Sequence, residues 1–302
     1  MILAAGEALA EVMRPRPGLP LDRPGELAGP FASGAPAIFA SVAARLGGPA
    51  TLVAVVGADP FGALIRGRLA GDGVDVGHVR TSPDRPTACA FVAYDDDGGR
   101  TFVFHVAAAA AGALTEADLG ELPEAAAWLH VSGSTLALGD SMGATIAAAA
   151  ERVHNAGGRI GLDPNLRPEA LAPRLADRVR AIAARAAVLL PAEGELEALG
   201  LDADCAPVVC TTLGAGGVRV RSGGREETVP APSVREVDPT GAGDTFAAAF
   251  TVATLAGAEP VEAARAAVPV AAAAVERLGT IEAPVERAWA LGRRGPPERA
   301  AR

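Results

Sequence analysis

The run Asp238-Pro-Thr-Gly-Ala-Gly-Asp-Thr-Phe246 places small residues and one acid where phosphoryl chemistry needs them. Gly241, Ala242 and Gly243 let a bound anion approach the main chain. An alanine-rich apolar run follows, so the turn opens a helix. Unpaired N–H groups and the positive end of the helix dipole then point at that anion. Asp244 lies in the same turn. A carboxylate beside an anion hole repels what the hole attracts. It makes sense when it takes a proton from a hydroxyl that attacks phosphorus. The bland alternative is a plain turn with Asp244 as the helix N-cap.

The elements around this turn follow from residue patterns. Met1–Ala5, Thr51–Val56, Trp128–Ser132, Arg159–Asp163, Ala187–Leu190, Pro207–Thr211 and Gly217–Arg221 read as strands. Pro36–Leu46, Ser141–Asn155 (capped by Asp140), 241–256, 260–277 and 284–292 read as helices. Strands separated by helices imply right-handed crossovers and a mostly parallel sheet covered on both faces. Ligands bind beyond the carboxyl ends of such strands. Thr87–Tyr94 and Arg100–His105 form a hairpin around Asp95–Gly99 that does not fit the alternation; it reads as an appendage over the site. The stretch 14–34 is rich in Pro and Gly, and the tail 293–302 reads as frayed.

Composition narrows the chemistry. The chain has 302 residues and a net charge of −9, which argues against a nucleic-acid surface. It contains no lysine, which excludes a Walker A loop, a protein-kinase strand Lys and a pyridoxal Schiff base. Any nucleotide is then held by backbone N–H groups, arginine and metal. Cys89, Cys205 and Cys210 form no C-x-x-C pair, and the four histidines are scattered, so reduced thiols in a cytoplasmic protein are expected. Glu7 and Glu11 interrupt the N-terminus, and no apolar run approaches the roughly 18 residues of a spanning helix, so neither signal peptide nor membrane partner is expected. Gly214-Ala-Gly216 and Gly241-Ala-Gly243 begin like a dinucleotide fingerprint, but both lack the third glycine.

Several of these segments resemble the ribokinase-like (PfkB) sugar kinases in the same order: residues 238–246, Ser33-Gly-Ala-Pro-Ala37, Arg45-Leu-Gly47, Gly57-x-Asp59-x-x-Gly62, Asp163-Pro-Asn-Leu-Arg167, Leu213-Gly-Ala-Gly-Gly217 and Arg277-Leu-Gly-Thr280. The resemblance implies an α/β, three-layer ribokinase-like sandwich over residues 1–292, with a small β lid from about 8–34 and 85–106. It implies ATP, Mg2+ and a monovalent cation such as K+ as cofactors, and a homodimer through the lid. Asp244 is the implied base, with Gly241, Ala242 and Gly243 around the transferring phosphoryl group. Thr212, Gly214, Gly217, Thr240 and Gly279 fall on the nucleotide side.

Glu195 matches the last acid of the family's Asn-x-x-Glu magnesium motif, although Ala192 replaces its Asn; it also reads as a helix-start acid. Asp238 belongs to the cation loop or forms an Asx turn before Pro239.

On the acceptor side the resemblance implies Glu11, Gly34, Ala35, His105 and Arg167. Ser33 and Ile38 replace a usual Gly and a usual sugar-binding Asn. Phe104 and His105 stand where 2-keto-3-deoxygluconate kinases carry Tyr and Arg, leaving Arg167 as anion anchor. His105 also reads as a packed residue, and Phe102 and Phe104 as core. The expected acceptor is 2-keto-3-deoxygluconate, with fructose or another sugar or polyol as the alternative. A degenerate kinase that only binds ligand is the alternative of another class.

Overall fold

A computed structural model describes residues 1–96, 99–166 and 173–294. In chain order its strands are β1 (Ile2–Ala5), β2 (Leu9–Met13), β3 (Ala28–Ser33), β4 (Ala50–Gly57), β5 (Val79–Ser82), β6 (Ala88–Tyr94), β7 (Arg100–His105), β8 (Trp128–Ser132), β9 (Arg159–Asp163), β10 (Val188–Leu189), β11 (Val208–Thr212), β12 (Val218–Ser222) and β13 (Arg225–Val229). The large sheet runs β13-β12-β11-β10-β9-β8-β1-β4-β5. It is parallel from β11 to β5 and antiparallel at β11–β12 and β12–β13.

Strand alternation sorts the core into two layers. Ile2, Ala4, Leu52, Ala54 and Val56 pack under helices Ala35–Arg45, Pro60–Gly71, Ala242–Leu255, Pro260–Ala274 and Val285–Arg294. Leu3, Ala5, Val53 and Val55 face the other way, under Asp140–Asn155 and Pro173–Ala183. Burial on both faces explains why these strands read as continuous apolar runs. Ala247, Ala248 and Ala249 meet Ala263, Ala264 and Ala267 in the same cluster, so alanine lets these helices approach closely. This is the expected three-layer arrangement.

The hairpin β6–β7 belongs to a second sheet of order β3-β2-β6-β7. Strand β2 pairs parallel with β6 and antiparallel with β3. Sequence patterning had not resolved β2, β3, β5, β13 or the helix Pro173–Ala183. The segment between β2 and β3 is organised around one cation. The buried Arg14 guanidinium donates to the carbonyl oxygens of Glu26 (2.9 Å), Pro20 (3.0 Å) and Arg23. Those carbonyls have no ladder of their own, and the arginine satisfies them. Asp140 is the first residue of its helix, with Gly139 at the cap. The last helix continues to Arg294, past the expected end at 292; the rest of the expected tail lies outside the described residues.

Candidate active site

Strand β9 ends at Asp163 and β11 at Thr212, on the edge where helix Ala242–Leu255 begins. Gly241 is that helix's N-cap, with no side-chain cap. The Thr245 amide bonds back to the Gly241 carbonyl at 2.9 Å. Ala242, Gly243 and Asp244 precede it, so their amides have no intrahelical acceptor. Only a long contact, 3.4 Å, joins the Ala242 amide to the Pro239 carbonyl. Asp244 is buried inside the first turn. It is not the N-cap, which removes the plain-turn reading. A Cβ on Gly243 would stand 3.7 Å from Asp163 Oδ2, so a second carboxylate faces this turn.

Asp238 is buried and joins three segments. Its Oδ1 accepts from the Thr240 amide (3.0 Å) and the Tyr94 hydroxyl (2.5 Å), and its Oδ2 accepts from the Gly279 amide (3.0 Å). The Asx turn is therefore formed. One acceptor position on Oδ2 stays open, which fits a cation held jointly with carbonyls.

Glu195 Oε1 accepts from the Leu166 amide (2.6 Å) and its Oε2 from the Ala192 amide (2.8 Å). Asp163 Oδ1 accepts from the Asn165 amide (2.9 Å), so two acids fix the turn Pro164–Leu166. Among the described residues no group of three His, Cys, Asp or Glu could hold a metal ion. The donor set fits Mg2+ that arrives on a triphosphate and keeps its waters, not a protein cage. Arg167 lies outside the described residues.

On the expected nucleotide side, the Thr212 amide donates to the Pro191 carbonyl at 2.8 Å, and Gly214 opens a single 3-10 turn, Gly214–Gly216. A strand follows that turn, not a helix, so a dinucleotide fold is excluded there. Gly217 is buried at φ +93°, and a Cβ would collide with the Val229 carbonyl oxygen. Its identity is explained by the neighbouring β13 backbone. Thr240 and Gly279 meet at Asp238.

The acceptor side departs most from expectation. Gly34 caps helix Ala35–Arg45. The Ala35 amide donates to Glu7 Oε1 at 3.3 Å, and Thr135 Oγ1 to Glu7 Oε2 at 2.6 Å. That amide is thus engaged by a buried acid that sequence reading treated only as a charge. Ile38 Cδ1 would lie 3.2 Å from a Cβ on Gly241, so an apolar wall stands against the anion turn.

Glu11 is buried, with Ser33 Oγ donating to its Oε2. Burial pushes its carboxyl up to about 7; the Ser33 bond opposes this, Asp238 adds to it and Arg100 opposes it. His105 corrects the sequence reading. Glu11 pairs with Ala90 and Ala90 with Phe104, while His105 pairs with Cys89. Strand alternation therefore puts His105 on the face opposite Glu11, where it meets Phe91 edge-on at 6.1 Å. Phe102 and Phe104 share Glu11's face and stack at 5.3 Å, with the Arg100 guanidinium 5.5 Å from the Phe102 ring. The alternation Arg100, Phe102, Phe104 was the available signal for this.

Comparison with known proteins decides the family. The model of the pfkB family carbohydrate kinases matches residues 30–287. The chain belongs to the PfkB family of carbohydrate kinases. It is a phosphotransferase. A fructokinase of Salmonella typhimurium is 34% identical over 274 residues, covering 85% of each chain. A provisionally assigned ribokinase II from E. coli, in complex with ATP and Mg2+, superposes with a TM-score of 0.87 at 34% identity, covering 93% of this chain and 94% of its own. The fructokinase of Vibrio cholerae O395, bound to fructose, ADP and calcium, gives a TM-score of 0.82 at 28% identity, covering 93% and 94%. A double mutant of that enzyme is known with fructose, ADP and potassium. These names favour the fructokinase branch over the sugar-acid branch ranked first from sequence. Among the described residues no helix is long and apolar enough to cross a membrane.

Proposed function

We propose that this PfkB kinase transfers the γ-phosphoryl group of ATP to a hydroxyl of a small neutral sugar, with fructose the first candidate. One observation carries the reading: Asp244 is buried in the first turn of a helix whose leading amides have no intrahelical acceptor. Asp244 aligns the hydroxyl and takes its proton as the oxygen bonds to phosphorus. The bond from phosphorus to the β–γ bridging oxygen breaks, and ADP leaves. Amides of Gly241, Ala242 and Gly243 hold the transferring oxygens as charge builds. Thr212, Gly214, Gly217, Thr240 and Gly279 border the nucleotide. Asp163 and Glu195 would hold Mg2+ arriving with ATP, which would supply neutralisation of the phosphate charge. Asp238 and the loop at 277–280 would hold a monovalent cation.

A neutral acceptor is favoured because Asp163 and Asp244 would together repel a carboxylate. The 2-keto-3-deoxygluconate reading, ranked first on overall spacing and the run after His105, has Arg167 as its candidate anion anchor. Fructose bound to the Vibrio fructokinase supports the same choice.

A coupled ADP-release assay over neutral sugars and sugar acids tests this. Turnover with a ketohexose is expected, and Asp244→Asn should lower kcat by about 100-fold or more. Wild-type turnover in that variant removes Asp244 from the chemistry and overturns the mechanism; no sugar-dependent ADP release overturns the kinase proposal and leaves the ligand-binding alternative.

A further inference from the structure

We infer that Tyr94 is a positioning residue that couples the small sheet over the acceptor to the phosphoryl-binding turn, acting through Asp238 and Thr240. The inference rests on the kinase reading above and extends it to a residue outside every expected site.

Tyr94 ends β6 in the small sheet and is buried. Its hydroxyl lies 2.5 Å from Asp238 Oδ1 and 2.6 Å from Thr240 Oγ1. A phenol has one proton, and the carboxylate can only accept. The direction is therefore fixed: the Thr240 hydroxyl donates to Tyr94, and Tyr94 donates to Asp238. Asp238 Oδ1 also accepts from the Thr240 amide, and Oδ2 from the Gly279 amide. Lid strand, anion turn and C-terminal loop thus share one carboxylate.

Independent contacts place the same surfaces together. Met13, Val92 and Tyr94 cluster with Phe31, Phe102 and Leu278. Thr280 Oγ1 donates to the Ala32 carbonyl at 3.0 Å. Thr240 directly precedes Gly241, the N-cap of the phosphoryl-binding helix. A lid that swings away must strip a buried carboxylate and a hydroxyl of partners, or carry the turn with it. Breaking a charge-assisted bond in a dry site is costly, so lid and turn move together. With the lid seated, the amides are set for transfer to a sugar and water is excluded.

Tyr94→Phe keeps the ring and removes both bonds. Expected in this variant are a roughly tenfold lower kcat for sugar phosphorylation and an ATP KM within about twofold of wild type. Sugar-independent ADP release should rise relative to sugar phosphorylation. Thr240→Val breaks the same relay from the other end, and the double variant should lose no more than the worse single variant. Hydrogen exchange gives a readout that needs no turnover. With a non-hydrolysable ATP analogue, wild-type amides of β6, β7 and residues 240–245 should slow together; in Tyr94→Phe only the turn should slow.

The inference is overturned by multiplicative losses in the double variant, by joint slowing in Tyr94→Phe, or by a lowered Tm with an unchanged hydrolysis-to-transfer ratio. If the wild type shows no sugar-dependent ADP release, the kinase reading fails instead. The exchange experiment then still decides the coupling.

Discussion

Ser33 Oγ donates to Glu11 Oε2 at 3.0 Å, and Glu11 Oε1 is buried without a hydrogen-bond partner. The charges that act on this carboxyl are Asp238 and Arg100. Burial raises it from 4.5 to about 7, so the folded protein binds a proton that the unfolded chain releases. The stability from this group is full below pH 4.5 and is lost as pH rises towards 7. The loss is on the order of 3 kcal/mol. Urea unfolding of Glu11→Gln should show this decline flattened. An unchanged slope would exclude Glu11 as its source. Ser33→Ala should shift the decline to higher pH, because the opposing hydrogen bond is gone.

His130 carries the opposite sign. Its ring stacks on Phe39 at 3.9 Å, and neither ring nitrogen has a hydrogen-bond partner. Burial alone pushes its pKa from 6.5 down to about 3. The folded protein therefore refuses a proton that the unfolded chain takes. Stability is full above pH 6.5 and falls as pH drops towards 3. His130→Phe should make the acid limb shallower in thermal scans and leave Tm at pH 8 unchanged or higher. A steeper acid limb would contradict this assignment.

Gly133 is held by a close approach of backbone. A Cβ there would collide with the Pro164 carbonyl oxygen. Pro164 opens the turn whose amides bind Asp163 and Glu195. Gly133→Ala should displace that turn, lower Tm by several degrees and raise the ATP KM. Wild-type KM in a folded Gly133→Ala protein would show that the turn does not position the nucleotide.

Asp244 and Glu195 should separate in their metal response. Asp244→Asn acts on proton removal, so its kcat deficit should persist at saturating Mg2+. Glu195→Gln should raise the Mg2+ concentration needed for half-maximal rate several-fold and recover much of kcat when Mg2+ is added. Identical Mg2+ titrations for Glu195→Gln and wild type would remove Glu195 from the metal's surroundings.

The parallel sheet and the helix after Gly241 were legible in the sequence because their signals are local. Strand β1 and the stretch Leu52–Val56 of β4 are continuous apolar runs, and the turn Asp95–Gly99 marks the hairpin of β6 and β7. The Gly-Ala-Gly-Asp turn also carries its chemistry in adjacent residues, so Asp244 could be named without coordinates. The pair β12 and β13, which turns antiparallel at one end of the sheet, was only half visible. The exposed β13 offers a polar run with little pattern.

What tertiary structure decided was which groups share a hydrogen bond across distant sequence. Tyr94 and Asp238 are 144 residues apart, Glu7 and Thr135 are 128 apart, and Glu11 and Ser33 belong to different strands of the small sheet. No local period encodes such pairings. They arise because a buried carboxylate must find donors wherever the fold brings them. Sequence alone determined the framework and pointed to the proposed reacting acid, since propensity, period and turn chemistry act over a few residues. The face of His105, the use of Ala35's amide by Glu7 and the junction at Asp238 depended on strand register and burial, which exist only once the chain has closed on itself.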